Sequence, residues 1–282
     1  MPVPLRLPSP LQRIDDDRMA AAGVRLFLKR DDLIHPDFPG NKWRKLKYNL
    51  EAARRAGHTT LMTFGGAYSN HLRATAAAGL HFGFKTIGVV RGEEHRPLNP
   101  ALAAAASHGM TLVYVDRTRY RARTDPDFIG ELHDEFGDFY LIPEGGANSA
   151  GRNGCAELVD EIDTPFDILC CSCGTGTTLA GVATRLRSGQ QAIGFAALRG
   201  DFLHHEVRRI QGTTPTTNWS IEPNFHFGGY AKHTPELDAF IDDFHDRHGI
   251  ALDRVYEAKM MYGVFAGRHR FRPGTTLVAV IA

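Results

Sequence analysis

The sequence predicts an α/β protein of open, parallel-type sheets with flanking helices, and three features predict it. Short apolar runs rich in β-branched residues alternate with helix-patterned stretches along most of the 282 residues. Two of the runs end in glycine-rich turns that lead into helices, the place where sheets of this class hold ligands. Hydrophobic residues make up 43% and charged residues 23% of the chain, enough apolar content to bury a full core.

Taken in order, a strand is expected at 26–29 (LFLK), then a helix at 42–56 that opens after a Pro39–Gly40 turn with Asn41 at its start. The strand at 60–64 (TLMTF) is followed by a small-residue helix at 70–80, opened by Ser69, Asn70 and His71. Strands at 86–90 (TIGVV), 111–115 (TLVYV) and 139–142 (FYLI) are apolar, with helices expected at 100–107 and 127–136 between them. A helix at 151–162 precedes the strand at 168–172 (ILCCS), and a glycine–threonine loop carries that strand into a helix at 177–186. The strand at 192–197, helices at 204–210 and 235–248, and a last apolar strand at 276–281 complete the alternation. No repeat and no low-complexity linker interrupts it.

The bulk composition narrows the function classes. With 33 basic against 32 acidic residues, nothing points to a nucleic acid or another polyanion as partner. The N-terminal stretch has no apolar signal-peptide core, and no run approaches membrane-spanning length, so no membrane role is expected. Four cysteines, with Cys170, Cys171 and Cys173 crowded together, do not make a disulfide framework, and a reducing cytoplasm is the expected location. Cys170 and Cys173 form a lone C-x-x-C in what reads as a buried strand, and His245 and His248 share the spacing of an exposed helix face. No metal is required to explain either.

Three segments carry candidate chemistry. In Lys29–Leu50, Lys42 sits one residue into a helix, where the positive end of the helix favours its neutral, nucleophilic form; an ordinary solvated lysine has the same pattern. In Thr63–Gly79, two glycines turn the chain into Ser69, Asn70 and His71, whose short polar side chains suit a carboxylate or simply cap a helix. In Cys171–Gly181, the residues Gly174, Thr175, Gly176, Thr177 and Thr178 follow a strand and open a helix. That arrangement suits a phosphate; it lacks both the Walker lysine and the dinucleotide spacing.

These segments, with IPEGGAN (142–148), GGYAK (228–232) and VYEAKMMYG (255–263), resemble in content and order the family of 1-aminocyclopropane-1-carboxylate (ACC) deaminase and D-cysteine desulfhydrase. The resemblance runs from about Leu26 to the end of the chain. It implies a tryptophan-synthase-β-like protein that binds pyridoxal 5'-phosphate in an interdomain cleft. The larger domain would comprise 1–47 and 149–282, and a smaller inserted domain 48–148. Lys42 would be the Schiff-base lysine, Gly174 to Thr178 the phosphate loop, Asn70 a contact to the cofactor ring, and Glu257 a partner of its nitrogen. Ser69, Asn70, His71, Tyr230 and Tyr256 would face a small amino-acid substrate, with Lys42, Ser69, Tyr230 and Tyr256 as catalytic groups. A homodimer is the default assembly for soluble enzymes of this kind.

Two departures bear on activity. Family chains continue beyond the strand ending at Ala282 into an H-T-G-G segment lining the cofactor pocket, and this sequence stops before it, which keeps a non-catalytic or cofactor-free relative as an alternative. His71 matches desulfhydrases, where deaminases carry Gln, while Glu257 matches deaminases, where desulfhydrases carry Thr or Ser. The expected reaction is β-elimination from D-cysteine to pyruvate, ammonia and sulfide, with ACC deamination as the alternative. A threonine-dehydratase-like activity on L-amino acids is disfavoured by FGGAYSNH.

Overall fold

The computed structural model describes residues 3–38 and 40–282. Pro39 lies outside the described residues, so the turn expected there is seen from Gly40 onward, at a φ of 61°. In chain order the strands are β1 (Leu11–Ile14), β2 (Arg25–Arg30), β3 (Thr60–Gly66), β4 (Lys85–Arg91), β5 (Met110–Val115), β6 (Tyr140–Ile142), β7 (Ile168–Cys173), β8 (Gln191–Ala196), β9 (Trp219–Glu222) and β10 (Thr276–Ile281). The helices are α1 (Asp17–Ala21), α2 (Lys42–Arg55), α3 (Asn70–Phe82), α4 (Pro100–Ser107), α5 (Arg117–Arg121), α6 (Pro126–Phe136), α7 (Ser149–Asp160), α8 (Thr177–Ala183), α9 (Leu203–Gln211), α10 (Pro235–His248) and α11 (Glu257–Ala266).

The chain divides into two compact units, residues 35–151 with the N-terminal stretch through Leu5, and residues 6–34 with 152–282. The expected partition put 35–47 with the larger domain. The structure groups them with the smaller unit, because α2 packs on α3 and on the turn at Glu144–Gly146.

The smaller unit holds a parallel sheet in the order β5-β4-β3-β6. Both faces are covered, as parallel sheets require. Met62, Phe64, Ile87 and Val89 pack with Phe128 and Leu132 of α6 in one cluster, and Leu72, Ala76, Leu102 and Ala105 pack with Val90 and Met110 in another. The small-residue character of α3 has a steric cause. A Cβ at Gly79 would stand 2.4 Å from Thr86 Cγ2, so only glycine lets the helix lie this close to β4.

The larger unit holds a sheet in the order β1-β2-β10-β7-β8-β9 among the described residues, parallel except for β1. All six residues of β10 are buried, which is why TLVAVI shows no alternation. The KRDDL motif spans the end of its neighbour β2 and the turn at Asp31–Leu33, and here the motif is structural. Lys29, with no exposed surface, donates to Glu161 Oε2 at 2.8 Å and to the Ser9 carbonyl, while Asp31 accepts the Ser9 hydroxyl at 2.6 Å. Arg30 holds Asp32 through two hydrogen bonds. The four cysteines are free thiols and buried, and burial pushes the Cys170 thiol above its ordinary value, the state of a core residue rather than a nucleophile. His248 is not on an exposed face as expected. It tucks against the Phe244 ring and lies 3.2 Å from Asp16 Oδ2, while His245 is exposed.

Candidate active site

Lys42 is the first residue of α2, as the helix-start reading requires. Asn41 precedes it without capping the helix through its side chain. Its Oδ1 accepts a hydrogen bond from Lys42 Nζ at 3.2 Å, so the asparagine orients the amine. Three residues on, Lys45 is buried, and the glycine turn of IPEGGAN explains how. A Cβ at Gly146, where φ is 68°, would stand 3.0 Å from Lys45 Cβ. The same motif ends in Asn148, whose Nδ2 donates to Asn49 Oδ1 at 2.7 Å, and Asn49 Nδ2 in turn donates to the Lys45 carbonyl at 2.7 Å. The motif therefore clamps the Lys42 helix, a role that spacing alone did not reveal.

The FGGAYSNH turn ends β3 and starts α3. Ser69 is extended, with φ −75° and ψ 113°, and its Oγ accepts the Leu72 N–H at 3.2 Å, so it caps the helix. A Cβ on Gly65 would come within 2.6 Å of that Oγ, which is why glycine precedes it. Asn99 Nδ2 donates to the Ala67 carbonyl at 3.0 Å and steadies the turn from α4. Asn70 is the first helical residue and half-buried.

His71 is buried, and its state follows from its neighbours. Thr63 Oγ1 donates its one proton to the Ile142 carbonyl at 2.7 Å, so at 3.0 Å it must accept from His71 Nε2. This geometry favours the neutral Nε2–H tautomer, and the Pro143 backbone acts on the same ring as a hydrogen-bond partner. Burial, joined by the positive charges of Lys42 and Lys45, holds its pKa down to about 3. Those charges place Lys42 and His71 in one electrostatic neighbourhood.

In the larger unit, β7 runs into Gly174–Thr178. Gly176 has φ 79° and caps α8 without a side chain, and Thr175 Oγ1 and Thr177 Oγ1 lie 2.9 Å apart. A Cβ at Gly174 would stand 3.1 Å from the Tyr256 ring, and one at Gly176 would stand 2.8 Å from Val207 Cγ2. Bare backbone with converging hydroxyls suits a phosphate, and side chains at the glycines would push Tyr256 and Val207 away from the loop. The Tyr256 ring meets Tyr230 edge-on at 6.1 Å, so the loop and both tyrosines form one group.

Glu257 begins α11 and is buried. Its Oε2 accepts the Asp253 N–H at 3.0 Å and its Oε1 the Ala282 N–H at 2.6 Å. Burial outweighs these donors and pushes its carboxyl up to about 8. Such a carboxyl is neutral beside neutral groups and ionises beside a cation. Lys259, which sequence reasoning passed over, donates to the carbonyls of His226 at 2.9 Å and Gly229 at 2.7 Å. It pins a loop in which Phe227, Gly228, Gly229 and Ala231 all have positive φ, and thereby sets Tyr230.

A family model described as pyridoxal-phosphate-dependent enzyme matches residues 4–282. A Thermotoga maritima protein is 31% identical over 86% of this chain and 83% of its own length. The mitochondrial bifunctional D-cysteine desulfhydrase/1-aminocyclopropane-1-carboxylate deaminase of Arabidopsis thaliana is 28% identical over 92% of this chain and 71% of its own. A crystal structure of an ACC deaminase homologue superposes with a TM-score of 0.85 at 27% identity, covering 99% of this chain and 90% of that one.

Proposed function

This chain belongs to the pyridoxal-phosphate-dependent enzyme family, and on that premise we propose that it is a lyase acting on a small amino acid, with D-cysteine β-elimination as its reaction. The observation that carries the reading is the neutral His71, held by Thr63 next to Ser69 and Asn70 and in the electrostatic neighbourhood of Lys42. A polar turn of this kind receives a substrate carboxylate without adding negative charge of its own, and a lysine nearby can take an α-proton.

Lys42 would carry the cofactor, Gly174 to Thr178 would receive its phosphate, Asn70 would contact its ring, and Glu257 would partner its nitrogen. Bound pyridoxal phosphate supplies the electron sink for charge left on the α-carbon. Ser69, Asn70 and His71 hold the substrate carboxylate, and Tyr230 and Tyr256 border its side chain. Once the substrate amine has displaced it, the freed Lys42 amine or Ser69 would remove the α-proton, the Cβ–S bond would break with sulfide taking the electron pair, and water would convert the released enamine to pyruvate and ammonia.

A second reading, ring-opening of ACC, is favoured by Glu257. A carboxylate at the ring nitrogen makes a stronger sink than a hydroxyl does, and this substrate has no α-proton to lose. Side-by-side assays of the holoenzyme with D-cysteine, L-cysteine and ACC separate the readings. Sulfide and pyruvate from D-cysteine at the highest kcat/KM support the first, faster 2-oxobutyrate release from ACC replaces it with the second, and preference for L-cysteine overturns both. Borohydride reduction and peptide mapping are expected to place the pyridoxyl label on Lys42, and a label on Lys45, Lys47 or Lys232 removes that assignment.

A further inference from the structure

Among the described residues, His35, Asp37 and His81 bring one ligand-type atom each to within 4.8 Å of one another. All three belong to the smaller unit, His35 and Asp37 in the turn ahead of α2 and His81 in the last turn of α3. None has a part in the chemistry described above. His81 Nε2 lies 2.7 Å from Asp37 Oδ2, and the two imidazoles meet edge-on with centroids 5.1 Å apart. His35 is buried, while the side chains of Asp37 and His81 remain 36% and 27% exposed, so the group is dry on one side and open to water on the other.

Two further observations distinguish the group from a plain surface ion pair. Phe38 packs on both imidazoles, at 4.8 Å from His35 and 5.6 Å from His81, and backs the group with an apolar wall. His108 lies close enough to Asp37 to act on its carboxyl electrostatically, and its own Nδ1 is buried with no hydrogen-bond partner among the described residues. Imidazole nitrogens and one carboxylate are the donor set of borderline divalent ions, and hard ions such as Mg²⁺ and Ca²⁺ take oxygen instead.

We propose that His35, Asp37 and His81 form a binding site for a divalent transition-metal ion of the Zn²⁺ type, with water completing the coordination on the open side. Donors around such an ion stand about 2.0–2.1 Å from it and so roughly 3.3 Å from each other. Side-chain rotation must therefore open the His81–Asp37 pair slightly and draw His35 inward. His35 Nδ1 now accepts the Asp37 N–H at 3.1 Å, and it exchanges that contact for the ion if it ligates through Nδ1. The ion ties the turn ahead of Lys42 to the far end of the helix that Ser69 opens, without touching the reacting groups.

The test is titration of chelator-treated holoenzyme with Zn²⁺ by calorimetry and with Co²⁺ by visible absorption. One ion per chain is expected, with Co²⁺ bands of low coordination number. Asp37→Asn, which keeps the side-chain shape, and His81→Ala should each weaken binding by at least about a hundredfold, while exposed His245→Ala leaves it unchanged. Trp43 stacks on Phe82 at 5.4 Å and meets Phe38 at 5.6 Å, so in a Trp219→Phe background Co²⁺ should quench its emission. Binding that survives Asp37→Asn is held elsewhere, the cofactor phosphate included, and overturns the proposal, as does no uptake at micromolar Zn²⁺.

Discussion

The carboxyl of Glu257 accepts the backbone N–H of Ala282 at 2.6 Å, which joins the start of α11 to the residue that follows β10. Because its pKa is raised from 4.5 to about 8, the folded cofactor-free protein keeps a proton that the unfolded chain has lost over that interval. Stability therefore falls as pH rises from 4.5 to about 8, by at most roughly 1.4 kcal/mol per pH unit. Urea unfolding at a series of pH values should show this slope, and Glu257→Gln should flatten it. An identical slope in the variant would mean that the carboxyl is already ionised.

His71 gives the opposite slope on the acid side. Its pKa is lowered from 6.5 to about 3, so the unfolded chain binds a proton that the folded one refuses, and stability is lost as pH falls through that range. A histidine-selective ¹⁵N spectrum at pH 5 should show a neutral ring protonated at Nε2. Thr63→Val removes the acceptor of that proton, and it should cost about 1–3 kcal/mol while shifting the Nε2 resonance.

Ser69 serves as helix cap in the structure, and a substrate role has to be tested separately from that. Ser69→Ala should cost about 1 kcal/mol of stability by loss of the cap. Ser69→Asp restores a capping oxygen and adds a negative charge, so it should recover the stability yet lower kcat/KM for an anionic substrate by at least about tenfold. Full activity in the Asp variant would leave Ser69 a purely structural residue.

Lys29 is a buried cation with a carboxylate partner in the core of the larger unit. Truncating Lys29→Ala removes the buried cation while the Glu161 charge stays, held by the Ser9 N–H, and should destabilise by about 3–5 kcal/mol. Glu161→Gln with Lys29→Met should cost far less, because the charges leave together. Thermal melts of the two variants decide it.

Much of this architecture was legible in the residues because parallel strands buried on both faces leave long apolar runs. TLMTF, TIGVV and TLVAVI each announce a strand, and each is one. The strands that escaped notice, β1 (LQRI) and β9 (WSIE), are edge strands of mixed polarity, half-covered and short. Helix α11 escaped for the opposite reason. Most of its residues are buried, so EAKMMYGVFA has no polar face to mark the helical period. Around the candidate site, Lys42, Ser69 and the glycine–threonine loop stand out because their local context is unusual. Thr63, Asn49 and Lys259 did not stand out, since each acts on a partner remote in sequence. Thr63 reaches Ile142 only because β3 and β6 pair with those two residues in register.

The place of β10 between β2 and β7 also sets an order of events at the ribosome. The strands of the smaller unit are all present once residue 142 has been made, and that sheet can close while synthesis continues. The larger sheet cannot. Until residues 276–281 emerge it exists as two fragments, β1–β2 and β7–β9, each with an unpaired edge. A nascent chain stalled shortly before β10 would thus pair a finished smaller sheet with two half-sheets whose edges are open to wrong pairing.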